Sequence, residues 1–260
     1  VMVALSDFWL LHGFKEKTVL EKTLTDVQEF NILMPLFKMD GYQGLYRFVM
    51  ELAQQEVNSF LMSVVKRVIR QKKEGELTKS DPGWWVAQLF EGVEHITDID
   101  RGVFSIYFFN IVHVQPGEGV FQGAGLPHAY LEGQNIELMA NSDNVLRGGL
   151  TPKHIDVPEL LKHTLFEGIV PHILKGNEIR IGEKSYPCPV PDFAISKIEL
   201  IAKRAYANTT EGLEIIIVTA GGAILNNSIV LKRGEVICLL PDTEYILESS
   251  GNCTLFKAFI

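Results

Sequence analysis

Hydrophobic residues recur every three or four positions through the segment 15–95. The residues that carry this spacing are Leu45, Phe48, Val49 and Leu52, followed by Phe60, Leu61, Val64, Val65, Val68 and Ile69. Such spacing places the side chains on one face of a helix, and these stripes form cores far more often than cofactor sites. Asp81-Pro82-Gly83 interrupts the pattern, and a short helix is expected over 84–93. The segment is therefore predicted to be predominantly helical.

Shorter apolar stretches, separated by turn-forming residues, lie on either side of this segment. Residues 1–14 are bulky and apolar, which suits a buried strand or a short helix. The segment 102–150 is predicted to return to strands, because it carries the β-favouring residues Phe104, Ile106, Phe108, Ile111 and Val114. A Pro-Gly turn at 116–117 follows them, as between the strands of a jelly roll. A helix is predicted over 156–165, where Pro158 stands early enough to be tolerated.

The chain after about residue 186 has the pattern of short strands at regular spacing. The groups of turn-forming residues lie at 220–222, 232–235, 241–244 and 249–252. This spacing is typical of a small all-β barrel. The nearest histidine is His172, and no His-x-His pair or paired carboxylate occurs there. We therefore expect this region to have a structural role rather than a chemical one.

Composition and charge limit the classes of partner. The 260 residues are 47% hydrophobic and 22% charged, as in an ordinary globular protein, and the net charge of −8 disfavours nucleic acid or an anionic membrane as the main partner. An anionic sugar phosphate would need a local basic pocket. A cluster of basic residues is mixed with Glu74 and Glu76, so we interpret it as a solvated helix end. Its members are Lys66, Arg67, Arg70, Lys72 and Lys73. Neither a signal peptide nor an apolar run of membrane-spanning length is recognised in the sequence.

The cysteines bear on the redox environment. Cys188, Cys238 and Cys253 are odd in number and lack CxxC spacing. The sequence therefore suggests neither a thiolate zinc site nor a complete set of disulfides. Buried, reduced thiols in the cytoplasm are expected.

Polar residues suited to chemistry concentrate in the segment 122–153. We predict two strands, 125–131 and 136–140, joined by the four-residue hairpin loop 132–135. This register places Leu131 opposite Ile136, Tyr130 opposite Glu137, and His128 opposite Met139. Since directly opposed residues and alternate residues share a face, His128, Tyr130 and Glu137 should point the same way. A slip of one residue would separate them.

The loop that follows carries further charged residues. Ser142 could cap a single helical turn that Gly148 and Gly149 end, and on that turn Asp143 and Arg147 would be neighbours.

Each candidate also has a simpler explanation. A lone strand histidine such as His128 is more often a core or rim residue, Asp143 and Arg147 could be a surface ion pair, and Glu137 could face solvent. Their occurrence together on one predicted face, beside an arginine-bearing loop, favours a functional site.

The run GLPHAYLEGQNIELMANSDNVLRGGLTPK closely resembles the C-terminal signature of type I mannose-6-phosphate isomerases, which are zinc-dependent enzymes of the cupin superfamily. ALSDFWLLHGF, FSIYFFNIVHVQPGEGVF and VPDFAISKIEL resemble further segments of the same family. The resemblance covers essentially the whole chain. It implies a mainly β fold, with cupin jelly-roll barrels and an α-helical insertion domain.

The resemblance also implies a division into domains. Residues 1–15 would end a catalytic cupin half begun in a part preceding Val1, and 16–100 would form the helical insertion. Residues 101–165 would complete the catalytic cupin and add a linker helix, and 166–260 would form a second cupin-like domain. The family's Asn-His-Lys-Pro-Glu and Gln-x-His motifs do not occur in this chain, so we expect it to be the C-terminal part of a longer protein.

The family's functional residues match several positions here. His128 matches the fourth zinc ligand, and the other ligands of the one zinc per full-length chain would lie before Val1. Arg147 matches an active-site arginine, whose fixed positive charge could stabilise an enediolate or hold phosphate. Tyr130, Glu137, Asp143 and Lys153 match or neighbour substrate-binding positions.

The activity that the resemblance implies is interconversion of mannose 6-phosphate and fructose 6-phosphate through an enediol. We expect the protein to be a cytoplasmic monomer, and we expect the 260 residues of this chain to be inactive alone. The residue that moves the proton is not assigned, and Asp143, Lys153 and a group elsewhere remain alternatives. Two other functions remain open: a non-catalytic cupin that binds sugar or regulates, and a different aldose–ketose isomerase on a cupin scaffold.

Overall fold

The computed structural model describes residues 1–142 and 144–260. The chain begins with two strands, β1 (Met2–Ala4) and β2 (Phe8–Phe14), both almost entirely buried. The apolar start of the sequence therefore forms strands rather than a helix. Gly13, at φ 62°, lies where the pairing register of β2 shifts.

The following segment is helical, as predicted. Its helices are α1 (Lys17–Asp26), a 3₁₀ helix (Gln28–Leu33), α2 (Met34–Glu51), α3 (Gln54–Lys73) and α4 (Pro82–Leu89). The predicted stripes supply their core, with Leu45 and Val49 buried on α2 and Leu61 and Val65 buried on α3. Pro82 lies in the first turn of α4, where its missing N–H costs no hydrogen bond.

The prediction of a strand at the start of the segment 102–150 is wrong. Residues Gly102–Phe108 form helix α5, in which every residue is buried. Phe104 and Phe108 are four residues apart and both pack on Phe30, with ring centroids 5.6 Å and 6.1 Å away. Because no face of α5 meets solvent, the sequence lacks the apolar–polar contrast that distinguishes a helix from a strand.

Two three-stranded sheets form the region that carries the candidate residues. Its further elements are β3 (Phe109–Val114), β4 (Gly119–Val120), β5 (His128–Glu132), β6 (Asn135–Glu137) and the helix α6 (Val157–His163). One sheet has the order β3-β2-β5 and the other the order β4-β1-β6. The predicted helix at 156–165 is confirmed, with the Asp156 side chain accepting a hydrogen bond from the Glu159 N–H as its N-cap.

The predicted hairpin between 125–131 and 136–140 is wrong. β5 pairs with β2, and β6 pairs with β1, so the two strands belong to different sheets. The connection, which is only the two residues Gly133 and Gln134, crosses from one sheet to the other. Long-range pairing with the N-terminal strands replaces the local pairing that the loop favours, and both strands are shorter than predicted.

The C-terminal region is all β, as predicted. Its strands are β7 (Asn177–Arg180), β8 (Glu183–Tyr186), β9 (Ala194–Leu200), β10 (Tyr206–Thr209), β11 (Glu214–Ala220), β12 (Gly222–Leu225), β13 (Ile229–Lys232), β14 (Val236–Leu239), β15 (Glu244–Glu248) and β16 (Cys253–Phe259). They form a six-stranded sheet, β14-β11-β16-β9-β8-β7, and a four-stranded sheet, β10-β15-β12-β13, around one core. The described strands form open sheets rather than a closed barrel, an arrangement compatible with a cupin.

The two small sheets lie between the helices and the C-terminal region. The outward-facing Trp9 and Leu11 of β2 pack on the helical core, and the outward-facing Val3 of β1 packs with Tyr186 and Phe256 of the C-terminal region. The opposite surfaces of the two small sheets, which face each other, share a third apolar cluster. Its members are Met2, Ala4, Phe8, Leu10, Val112, Val114 and Val120. We call these facing surfaces, together with the polar residues on them, the inner face.

Cys188, Cys238 and Cys253 are all free thiols, as predicted. Cys253 is buried and Cys188 is partly buried, but Cys238 is exposed, which corrects the expectation that all three are buried. Among the described helices, none combines the length and apolar character that crossing a bilayer requires.

Candidate functional site

Strand register determines which side chains reach the inner face. His12 is paired with His128, Leu10 with Tyr130, and Met2 with Glu137. Since opposed residues project to the same side of a sheet, His128, Tyr130 and Glu137 share the inner face with the apolar cluster. The expectation that these three point the same way is confirmed, although the pairing that produces it differs from the predicted hairpin.

His128 is exposed and its ring orientation is fixed by one hydrogen bond. Nδ1 lies 2.8 Å from the carbonyl oxygen of Leu126, and because a carbonyl only accepts, Nδ1–H is the donor. In the neutral ring Nε2 then carries a lone pair. A backbone carbonyl on one ring nitrogen is the arrangement that prepares the other nitrogen of a histidine to bind a metal.

Tyr130 connects His128 to the other polar groups. Its hydroxyl donates to Gln122 Oε1 at 3.0 Å, and its ring centroid lies 6.3 Å from that of His128. Burial, and then the negative charge of Glu137, raise the pKa of Tyr130 well above its usual value. The hydroxyl is therefore protonated near neutral pH and can donate a hydrogen bond beside a carboxylate.

The sequence did not identify His12, which the structure places directly across from His128. The Gly13 N–H donates to the Pro127 carbonyl at 2.8 Å, so the neighbouring His12–His128 pair is of the non-hydrogen-bonded type, in which side chains approach most closely. His12 is 3% exposed. Burial, and then the proximity of His128, lower its pKa to about 4. A single histidine in an apolar strand carries no local signal, and only the pairing of β2 with β5 reveals it.

Arg147 lies on a loop that packs against the helices. The residues 144–150 form no helix, so the predicted helical turn is wrong for the part that the structure describes. Gly149 has φ 120°, and a Cβ there would lie 2.6 Å from Gly102 Cα. Leu150 also packs on the helical core. Gly149 therefore allows the loop to approach α5 closely, Gly148 lies against Tyr46 of α2, and Arg147, partly buried, comes just before them.

The remaining candidates are not joined to this group. Lys153 is exposed, and its backbone N–H donates a local hydrogen bond to the Thr151 hydroxyl oxygen at 3.2 Å. Within the described residues, neither Arg147 nor Lys153 shares a hydrogen bond or ion pair with His128, Tyr130 or Glu137. Asp143 lies outside the described residues.

A catalytic zinc needs more protein donors than His128 alone supplies. Such sites use three protein ligands or more, commonly imidazole and carboxylate. Over residues 1–142 and 144–260, no three His, Cys, Asp or Glu side chains come together as a metal site. His128, with its anchored Nδ1 and available Nε2, fits one position of a ligand set that needs further donors.

Comparisons with known proteins agree with this fold. No protein-family model matches the chain. The mannose-6-phosphate isomerase of Salmonella typhimurium is 39% identical over 164 residues, covering 62% of this chain and 41% of the relative. That of Bos taurus is 31% identical over 263 residues, covering 90% of this chain and 61% of the relative. The chain thus spans less than two thirds of the length of these relatives.

The structural comparison extends over nearly the whole chain. The crystal structure of apo mannose 6-phosphate isomerase from Salmonella typhimurium matches with a TM-score of 0.81 and 28% identity, covering 99% of this chain and 65% of that one. A mutant of phosphomannose isomerase from the same organism gives a TM-score of 0.83 at 27% identity. These similarities confirm the family resemblance and the predicted fold class.

Proposed function

We infer that this chain, which is related to the type I mannose-6-phosphate isomerases along nearly its whole length, carries part of the active site of an aldose–ketose isomerase. The substrates would be mannose 6-phosphate and fructose 6-phosphate, and the protein would be a cytoplasmic monomer. The observation that supports this most directly is the convergence of His128, Tyr130 and Glu137 on the inner face, within the segment that resembles the family signature.

The reaction moves a proton between two adjacent carbons of the open-chain sugar. It needs a group that accepts and returns the proton, and positive charge or hydrogen bonds that stabilise the enediolate. We assign the second role to Arg147, because its guanidinium stays protonated and donates from a fixed fork. Lys153 and Asp143 are assigned to substrate binding and, with a group elsewhere, remain alternatives for the proton transfer.

The inner face would hold the sugar itself. Tyr130, protonated because burial and Glu137 raise its pKa, already donates to Gln122, so its hydroxyl oxygen would accept from one sugar hydroxyl while the carboxylate of Glu137 accepts from another. His128 would present Nε2 to zinc. When bound, zinc would polarise or position the oxygens of the sugar.

The test is made on the natural protein that contains this chain, by measuring isomerisation and zinc content together. Arg147→Ala should lower kcat by about 100-fold or more while zinc content is unchanged, because one stabilising donor is lost. His128→Ala should lower both. His95→Ala, at an exposed histidine in the helical region, is the matched control.

Three outcomes separate the alternatives. Near-normal turnover in Arg147→Ala would remove this residue from the mechanism. No turnover of any hexose phosphate by the unaltered protein would favour a sugar-binding or regulatory role. Turnover of a different hexose phosphate in preference to mannose 6-phosphate would identify another aldose–ketose isomerase.

A further inference from the structure

Three side-chain nitrogens are buried without a hydrogen-bond partner in the part of the chain that the structure describes. They are His12 Nδ1, Gln122 Nε2 and Asn135 Nδ2. Buried polar groups are nearly always paired, so unpaired ones need a physical explanation. All three lie on the inner face: His12 opposite His128, Asn135 opposite Ala4, and Gln122 bonded to Tyr130. Their concentration at one place points to something that binds there.

Both amides lie on the inner face with Tyr130. Gln122 Oε1 accepts a hydrogen bond from the Tyr130 hydroxyl at 3.0 Å, and the NH₂ group of Gln122 has no hydrogen-bond partner. Asn135 lies on β6 two residues before Glu137, so both side chains project onto the inner face that carries Tyr130. Two NH₂ donors without a hydrogen-bond partner therefore lie on the face that Tyr130 occupies.

Glu137 decides the chemical class of the ligand. It projects from β6 onto the inner face, where strand register pairs it with Met2, and brings a negative charge to a face that offers NH donors. A bare anion such as phosphate would be repelled by this carboxylate. A sugar hydroxyl both donates and accepts, so neighbouring hydroxyls can accept from the amides and donate to Glu137.

We propose that Gln122 and Asn135 are specificity-determining residues, whose side-chain amides donate to adjacent hydroxyl oxygens of a sugar held beside Tyr130 and Glu137. The proposal rests on the proposed function for the choice of a sugar phosphate as ligand. It places the sugar hydroxyls at this end of the inner face and the phosphate away from Glu137.

Substitution separates a ligand-binding amide from a structural one. A buried donor without a partner destabilises the folded protein, so replacing Asn135 with the similarly shaped Leu should leave the midpoint of urea unfolding unchanged or raise it. Gln122→Met removes the other donor, and Tyr130 keeps Glu137 as a neighbouring acceptor. Gln134→Met, at the exposed position just before Asn135, is the control. Structural amides would instead give a lower midpoint.

Binding is followed on the 260-residue chain through the side-chain NH₂ signals of Gln122 and Asn135 in ¹H–¹⁵N NMR spectra. The probes are mannose 6-phosphate, the uncharged polyol mannitol, and inorganic phosphate. We expect both signals to move with the first two probes and not with phosphate. The affinity for mannose 6-phosphate should fall about tenfold or more in Asn135→Leu and Gln122→Met, but not in Gln134→Met.

The outcomes distinguish this inference from the proposed function. Signals that respond to phosphate alone or to no probe, unchanged affinity in both variants, or destabilised variants would overturn the inference. Sugar binding that depends on both amides, in a natural protein that isomerises no hexose phosphate, would overturn only the proposed isomerase activity.

Discussion

The imidazoles of His12 and His128 show what a sequence reveals about single residues. His128 could be predicted because it stands in a long run of polar residues that matches a family signature. His12 stands among Leu11, Gly13 and Phe14, and its proximity to His128 depends on strands more than 100 residues apart in the chain. Candidate functional residues could therefore be predicted where they lie close together in the sequence, but not where only the pairing of distant strands brings them together.

Lys15 is a second residue whose properties depend on the fold. Its Nζ donates to the Thr23 hydroxyl at 3.2 Å, and no carboxylate within the described residues forms an ion pair with it. Burial lowers the pKa of Lys15 to about 8. The unfolded chain, with a pKa near 10.5 at this residue, binds the proton more tightly, so the stability that Lys15 contributes rises as pH increases from 8 to 10.5.

Lys15→Met should therefore stabilise the protein at pH values below about 8, by up to about 3 kcal/mol. This gain should shrink as the pH rises toward 10.5 and vanish above it, where the lysine side chain is neutral in both the folded and the unfolded state. The measurement is urea unfolding at neutral and alkaline pH. Lys17→Met, at an exposed lysine two residues away, should change stability little. A loss of stability at neutral pH in Lys15→Met would contradict the burial argument.

At the scale of helices and strands, prediction succeeded where one face of an element is buried. The stripes of α2 and α3 and the alternating strands of the C-terminal region have this contrast. It is absent from α5, which is buried all round, and the β-favouring residues of that segment gave the wrong element. For β5 and β6 the alternation was correct, but their partners are distant strands that a local turn signal cannot identify.

The loop before Leu150 allows a test of how Arg147 is held. Gly149→Ala would place a Cβ 2.6 Å from Gly102 Cα at φ 120°. We expect it to cost about 2–4 kcal/mol, since strain and overpacking act together. Gly75→Ala has φ 75° but open space around it, and should cost about 1 kcal/mol. Urea unfolding compares the two, and equal costs would show that the contact with α5 does not fix the loop.

A buried charged network joins the two sheets of the C-terminal region. Lys257 Nζ lies 2.9 Å from Glu183 and 3.4 Å from Glu214, and all three side chains are almost fully buried. Tyr206 donates to Glu183 at 2.8 Å and Tyr245 donates to Glu214 at 2.7 Å. Burial alone would raise the pKa of Glu183, but hydrogen bonds from Ser196 and Lys257 outweigh it and lower the pKa.

Lys257→Met should destabilise the protein by about 3–5 kcal/mol, because two buried carboxylates lose their shared cation. Lys22→Met breaks an exposed pair with Asp26 and should cost less than about 1 kcal/mol. Urea unfolding at pH 7 measures both. If Lys257→Met lowers the free energy of unfolding no more than Lys22→Met does, the two carboxylates of the network do not depend on Lys257 to stay ionised in the folded protein.

At the scale of the whole molecule, the inner face lies between two larger packing units. The helical core covers the outer side of one small sheet, and the C-terminal region covers the outer side of the other. The sequence predicted the two units from their different periodicities, but not this arrangement, which depends on long-range contacts of β1 and β2. The consequence is that short strands, packed on their outer sides against larger units, hold polar residues on the inner face.

This arrangement predicts how the chain binds zinc. Zinc sites draw their ligands from several elements, and the described residues bring His128 to the inner face without assembling a set of three donors. After dialysis, elemental analysis of the 260-residue chain should therefore find far less than one zinc ion per chain. Weak binding at high zinc concentration should be lost in His128→Ala and retained in His95→Ala. About one tightly held zinc would mean that other residues of this chain complete the site, and His12, directly across from His128, would be the first to substitute.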